Sequence, residues 1–389
     1  MLTAPAAPPM IRTDTSNAFA HNTMRVRVPA IVREVAARNP DYPALIHDRL
    51  EQLAVALETD APIPLLDPPA PDYASWAAQH SAHGPATWQG AAWLFAEFYA
   101  YRLLIQAVRW WETGRDPFAP AKAEEYASGQ PWALLERALD SAPRAPEDRL
   151  AHALTFALWA NRIDLSLSTV AALGGESTHA ADLLVDQRAA AARWLLAAPG
   201  PVHIVADNAG SELTLDLALA GALLELTGAP VTLHVKTHPI FVSDAVPADV
   251  LALIGWLADG RAGAASAALG ARLRAAFEAG RLRLAPDLFW NSAHPLWALP
   301  PYLVQTFAAA RLVIVKGDAN YRRLLGDALW PAETPFADVL NYFPAPLLAL
   351  RTLKSEPLVG LPPGLAARLD VEDTAWRING RRGVAQLKP

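Results

Sequence analysis

The stretch Val202-His203-Ile204-Val205-Ala206-Asp207-Asn208-Ala209-Gly210-Ser211-Glu212, with the leucine- and alanine-rich run that follows it to Thr227, decides the fold. A short, partly β-branched apolar run that ends in polar residues and glycine, then a long apolar segment, reads as strand, tight turn and helix. Leu213, Leu215, Leu217 and Leu219 alternate as a second strand would. Length, alanine content and continuation through Leu223 and Leu224 select the helix instead. Asp207 and Asn208 then stand where a buried strand stops, on the rim where open α/β sheets place their ligands. Two readings fit them. Either may cap the helix, or they are oxygen ligands of a hard cation, with an anion resting on the N–H groups from Ala209 to Glu212.

Downstream, strand-like runs at 231–236, 281–285, 312–315 and 347–353 alternate with helical patterns at 247–258, 264–279, 302–310 and 320–329. Such alternation predicts an α/β domain over 196–389, Rossmann-like and three-layered, with a mostly parallel sheet covered on both faces. Upstream, Ile31, Val32, Val35, Leu45, Ile46, Leu50, Leu53 and Leu57 fall at helical spacing, and 88–111, 133–139 and 149–159 read as helices. Five prolines make 61–73 an irregular connection. Strand signals are scarce there, so 1–195 is expected to be an all-helical N-terminal domain.

The 389 residues are 52% hydrophobic with mean hydropathy +0.14, ample for a large core. A net charge of −6 and a pI near 5.9 argue against a nucleic-acid partner. The absence of cysteine excludes disulfides, thiolate metal sites and cysteine nucleophiles. The first ten residues lack the charged-then-apolar pattern of a signal peptide. Glu97, Arg102 and Arg109 interrupt the one long apolar run, so a membrane is no expected partner and the cytoplasm is the expected location.

The polar residues share one address. Asp207 and Asn208 follow the first strand of the domain, Ser243-Asp244 the second, Asn291 and His294 the possible third, Lys316-Gly317-Asp318-Ala319-Asn320-Tyr321-Arg322 the fourth, and Lys354 the fifth. Carboxyl ends of parallel strands are where such sheets bind ligands. Two carboxylates and an amide carbonyl make an oxygen-only set suited to Mg, Mn or a similar ion. Lys316, Arg322 and Lys354 suit phosphate, and Gly317 would let backbone N–H groups approach it. Within the helical half, Asn161, Arg162, Asp164 and Ser166 either cap a helix end or point across at this rim. G-x-G-x-x-G after a strand, the P-loop pattern and G-x-S-x-G are all missing.

These motifs together resemble the damage-control phosphatase family. The residues that carry the likeness are Asp207-Asn208-Ala209-Gly210-x-Glu212, Phe241-Val242-Ser243-Asp244, Lys316-Gly317-Asp318-x-Asn320-Tyr321-Arg322 and Arg351-Thr352-x-Lys354, with Trp159-x-Asn161-x-x-Asp164-Leu165-Ser166 before them. The branch is the one marked R-T-x-K, some of whose members are named acidic residue methyltransferase. The resemblance implies a metal-dependent phosphatase of small phosphorylated metabolites, sugar phosphates such as fructose 1-phosphate, using Mn, Co, Ni or Mg. By the same resemblance Asp207, Asn208 and Asp244 are metal ligands. Asn161, Glu212, Asp318, Asn320, Tyr321, Arg322 and Lys354 are substrate contacts. Lys354 and Arg322 hold the phosphate, and Asp318 handles the proton, with Glu212 as its rival. Ser211, Ala319 and Leu325 depart from the family pattern at positions that bear on substrate preference. Carboxyl methylation with S-adenosylmethionine is the alternative activity, for which Asp207-Asn208-Ala209-Gly210 makes a poor adenosine loop; non-catalytic metabolite binding is the third.

Overall fold

The computed structural model describes residues 2–160, 182–260 and 263–389, so Asn161 and the rest of its motif after Ala160 lie outside the described residues. Seven strands form one sheet: β1 Leu183–Asp186, β2 Val202–Val205, β3 Val231–Lys236, β4 Leu282–Asp287, β5 Leu312–Lys316, β6 Leu347–Thr352 and β7 Gly383–Lys388, in the order β1-β7-β6-β5-β2-β3-β4. From β6 to β4 every pairing is parallel; β7 runs antiparallel to β6 and carries β1 parallel to itself at the edge. The chain moves outward from β2 through β3 to β4, then returns to the other side of β2 for β5 and β6. The order therefore reverses between β2 and β5, and at such a switch point the two following loops diverge and leave a crevice.

Side-chain alternation along the strands builds two cores. Leu312, Ile314, Leu348 and Leu350 face one side, Val313, Val315, Leu347 and Ala349 the other. The helices that matter for the site are α1 Val28–Arg38, α2 Ala44–Glu58, α3 Trp93–Ala107, α4 Ala119–Ala127, α5 Gln130–Asp140, α6 Pro146–Trp159, α7 Gly210–Leu226, α8 Pro247–Ala258 and α9 Asp318–Leu325. All of α7 except Ala218, Glu225 and Leu226 is buried, because it lies between the sheet and α5–α6. A helix enclosed on all sides is apolar all round. That is why its leucines also alternate like a strand.

The expected boundary at 195 needs correction. β1 is a strand of the sheet within the segment read as all-helical, and the cores divide earlier still. Residues from Ile11 to Phe118, chiefly of α1, α2 and α3, share a core that Ile240 and Ala293 also join, whereas Tyr126 to Ala160 pack with the sheet. The helices α5 and α6 are thus a layer of the α/β unit. Short edge strands with half-exposed residues, such as β1, carry too little apolar pattern to register as strands.

Candidate metal centre

The loops after β2 and β3 are stitched together by main-chain hydrogen bonds. Ala209 N donates to the Ser243 carbonyl at 2.6 Å and Ala245 N to the Asp207 carbonyl at 2.8 Å, with Asn208 and Asp244 paired across an antiparallel bridge. Asp207, Asn208 and Asp244 are therefore brought to one place, and both carboxylates are buried. Burial comes first in pushing the Asp207 carboxyl well above its ordinary range, with the charges of Glu212 and Asp244 adding to it. Asp244 is pushed up to about 6 by burial, against the pull of Lys236. Lys236 Nζ lies 3.3 Å from Asp244 Oδ2, and neither atom makes a well-aligned hydrogen bond among the described residues.

Crowded, buried carboxylates of raised pKa are what a cation would relieve. The Asn208 amide is poised likewise. Its Oδ1 accepts from Ser243 Oγ at 2.6 Å and its Nδ2 reaches Asp207 Oδ2 at 3.1 Å, so half a turn of the amide would set its oxygen beside the Asp207 carboxylate. Among the described residues no three His, Cys, Asp or Glu side chains are grouped to hold a metal ion; the set here is two carboxylates and an amide. These donors fit a hard divalent ion with coordination positions left for water or phosphate. Asn320 Oδ1 is a further buried acceptor without a partner among the described residues, in a side chain whose Nδ2 bonds the Ala206 carbonyl at 3.3 Å.

Across the switch point, Gly317 sits at φ 83 with no room for a side chain: a Cβ there would stand 1.9 Å from Asp207 Oδ2. This close approach is its reason for being glycine. Asp318 follows, and its Oδ1 accepts from Arg351 Nε at 2.8 Å and from the Lys354 main-chain N–H at 3.0 Å. Burial is the largest influence and would raise its carboxyl. The Arg351 and Arg322 charges and the hydrogen bonds from Ser355 and the Lys354 N–H together overcome it and hold the group below the ordinary range. Asp318 thus stays ionised and fixes the loop that bears Lys354, whose side chain is exposed on the rim. Glu212 is buried one turn into α7, and its Oε2 accepts the Asn208 N–H at 3.3 Å.

Several expected contacts point elsewhere. Arg322 is buried, bonded to Asp327 through Nε (2.7 Å) and Nη2 (3.0 Å) and to Glu97 through Nη1 (2.7 Å), and stacked 3.6 Å over Trp93. Its charge is balanced within the protein, which removes the reason to assign it to phosphate. Tyr321 is likewise core, its hydroxyl donating to Gln386 at 2.7 Å. Lys316 points inward, as an ion pair with Asp216 at 2.8 Å and a donor to the Ala157 carbonyl at 2.6 Å, rather than toward solvent or the rim. Asn291 and His294 are structural as well: Asn291 bonds the main chain of Thr237 and His238, and the His294 ring stacks on Phe289. The N-terminus of α7 holds a protein group in place of a free anion, since Gly210 N donates to the Tyr126 hydroxyl at 2.9 Å and Ser211 N to Glu125 Oε1 at 2.8 Å. Lys236 and Asp216 were missed by the sequence reading. The position of Lys236, last in its strand and just before the polar loop, was the available signal for it.

Comparisons with known proteins agree with this frame. Residues 23–369 match the model of the damage-control phosphatase ARMT1-like domain. The chain is 30% identical to damage-control phosphatase ARMT1 of Rattus norvegicus, over 98% of each protein. It is 29% identical to that of Homo sapiens, over 95% of this chain and 96% of the human one. A crystal structure of a DUF89 family protein from Pyrococcus horikoshii superposes with TM-score 0.53 at 15% identity, covering 96% of this chain and 99% of that one, a likeness of fold.

Proposed function

As the chain belongs to the ARMT1-like damage-control phosphatase family, we propose that it is a divalent-metal-dependent phosphatase acting on small phosphorylated metabolites, sugar phosphates such as fructose 1-phosphate among them. The observation that carries the reading is the stitched pair of loops. They bring the buried Asp207 and Asp244 and the half-buried Asn208 together at the carboxyl ends of β2 and β3, which supports an oxygen-ligand site there. Mn, Co, Ni or Mg suits those donors. The chemistry such an ion supplies when bound is Lewis acidity toward phosphate and a lowered pKa for water.

The remaining steps belong to the protein's own side chains. Lys354, on a loop whose main chain Asp318 pins, binds the phosphate and offsets the charge that grows on its oxygens during transfer. Glu212 takes the proton of the attacking water, because Asp318 is committed to Arg351 and held ionised below the ordinary range, which makes it a poor base. Arg322, Tyr321 and Asn320 act as scaffold for α9 and for the strand end before Asp207. No helix among the described residues is long and apolar enough to cross a membrane.

The test is a phosphate-release screen over sugar phosphates with Mg, Mn, Co and Ni in turn. Metal-dependent release by the wild type, and its loss in Asp207→Ala with folding intact, is the expected result. Release that ignores both chelator and the substitution would sink the assignment.

A further inference from the structure

One face of the short helix α4 touches both loops of the candidate metal centre. Lys122, Glu125 and Tyr126 occupy spacings that share a helix face. Lys122 Nζ is buried and donates to the Asp244 carbonyl at 3.2 Å, while Asp116 and Asp249 balance its charge at 2.9 and 2.8 Å. Asp249 in turn accepts the Val246 N–H at 2.9 Å at the start of α8, just after the loop. Glu125 Oε1 accepts from Ser211 N at 2.8 Å, and the Tyr126 hydroxyl accepts from Gly210 N at 2.9 Å. The fit is close enough to dictate sequence on the other side. Gly210 has φ 65, and a Cβ there would lie 1.9 Å from Glu125 Oε2.

On the proposed-function reading, we infer that Lys122, Glu125 and Tyr126 are positioning residues that brace the stitched Asp207–Asn208 and Asp244 loops against a third element, α4. All three hold main-chain groups of the loops rather than the ligand side chains. They fix where the ligands start from, whatever the state of the carboxylates. A site that must present oxygens within a few tenths of an ångström needs such support, and loss of supporting hydrogen bonds costs metal affinity about 10- to 100-fold. The β2–β3 ladder ends before the ligands, and the main-chain stitches beyond it tie the loops to each other rather than to a third element.

The experiment uses the full chain, titrated calorimetrically with Mn²⁺ alone, together with amide hydrogen exchange of segments 207–212 and 240–246 measured without metal. Tyr126→Phe and Glu125→Leu each weaken Mn²⁺ binding about 10-fold and speed exchange in both segments, while the melting temperature stays close to wild type. Glu125→Gln, which keeps an acceptor for Ser211, restores wild-type affinity. Unchanged affinity with unchanged exchange overturns the inference; so does faster exchange spread over the whole chain in step with a lower melting temperature. Should the wild type bind no divalent ion, the phosphatase reading fails, and the positioning role fails with it unless both segments still loosen selectively in the variants.

Discussion

Two buried clusters of charge flank the sheet, one of them joining α9 to α3 of the helical core, and they are built on opposite plans. Around Arg322, a guanidinium is matched by Asp327 and Glu97, with short hydrogen bonds to each and a tryptophan face beneath. Around Asp207, the charges of Glu212 and Asp244 add to burial in raising its carboxyl, and Lys236 approaches Asp244 at 3.3 Å without an aligned hydrogen bond. The first cluster is complete; burying its members is compensated locally, and breaking it leaves charges stranded. The second is under-compensated, and its carboxyls are relieved either by taking up protons or by a cation. The difference separates scaffold from site better than residue type does, for arginine beside an α-helix near a phosphate pocket is an obvious ligand on paper.

The comparison is broken most directly by removing one charge from each cluster. Asp207→Asn takes away a repelled charge, so phosphate release falls to background while the metal-free protein melts at or above the wild-type temperature. Wild type with Mn²⁺ at about 100-fold excess over its Kd gains about 2.7 kcal/mol, and this gain vanishes in the variant; calorimetric melting with and without Mn²⁺ checks both halves. A metal-free variant that melts well below wild type would show that Asp207 is held by structure alone. Arg322→Met strands Glu97 and Asp327 and costs about 3–5 kcal/mol of stability, measured by urea unfolding. Adding Glu97→Gln and Asp327→Asn recovers most of that loss. Metal affinity per folded molecule stays unchanged throughout.

How much of this was legible beforehand follows the same divide. Strands β3 and β5 carry their own apolar runs and are readable nearly to the residue, and the polar residues that follow the strand ends are visible as clusters in the sequence. What stayed hidden were pairings across long stretches of chain. Glu97 lies 225 positions from Arg322, and Lys122 lies 122 positions from the carbonyl it holds. Nothing local in the sequence announces such partners. The strand β7 was missed for a different reason. Its Gln386 is buried and bonded to Tyr321 and to the Val359 carbonyl, so a core position reads as polar. The extent of the separate helical core was hidden too, because α5 and α6 show the same amphipathic pattern whether they cover another helix or a sheet.

Gly317→Ala tests the geometry joining the two sides of the crevice. The backbone at φ 83 and ψ 171 belongs to a region open almost only to glycine, and the new methyl would overlap the Asp207 carboxylate. A loss of about 1–3 kcal/mol in stability, with weaker Mn²⁺ binding, is the expected outcome; a variant that binds Mn²⁺ normally would place Asp207 outside the ligand set.

The smallest effect is the pH dependence, where the two kinds of buried group carry opposite signs. His203 and His234 face each other at 3.0 Å on β2 and β3, and burial lowers them to about 4 and about 3. Neutral histidine is favoured in the fold, so this contribution is whole above the unfolded value of about 6.5 and drains away as pH falls toward the folded values. Asp244 runs the other way. Its carboxyl is raised to about 6, so in the metal-free protein its contribution is whole below the ordinary carboxylate range and is lost as pH rises through about 6. Between pH 4 and 6.5 the two oppose each other, and the metal-free stability curve is flatter than the histidines alone would make it. Mn²⁺ binds the ionised carboxylates, so its affinity falls as pH drops through about 6. In Asp244→Asn the opposing contribution is gone, and acid destabilisation steepens over the same window. Urea midpoints at several pH values, for both proteins without metal, decide it: parallel curves would mean that the carboxylate is not under the strain that distinguishes this cluster from the one around Arg322.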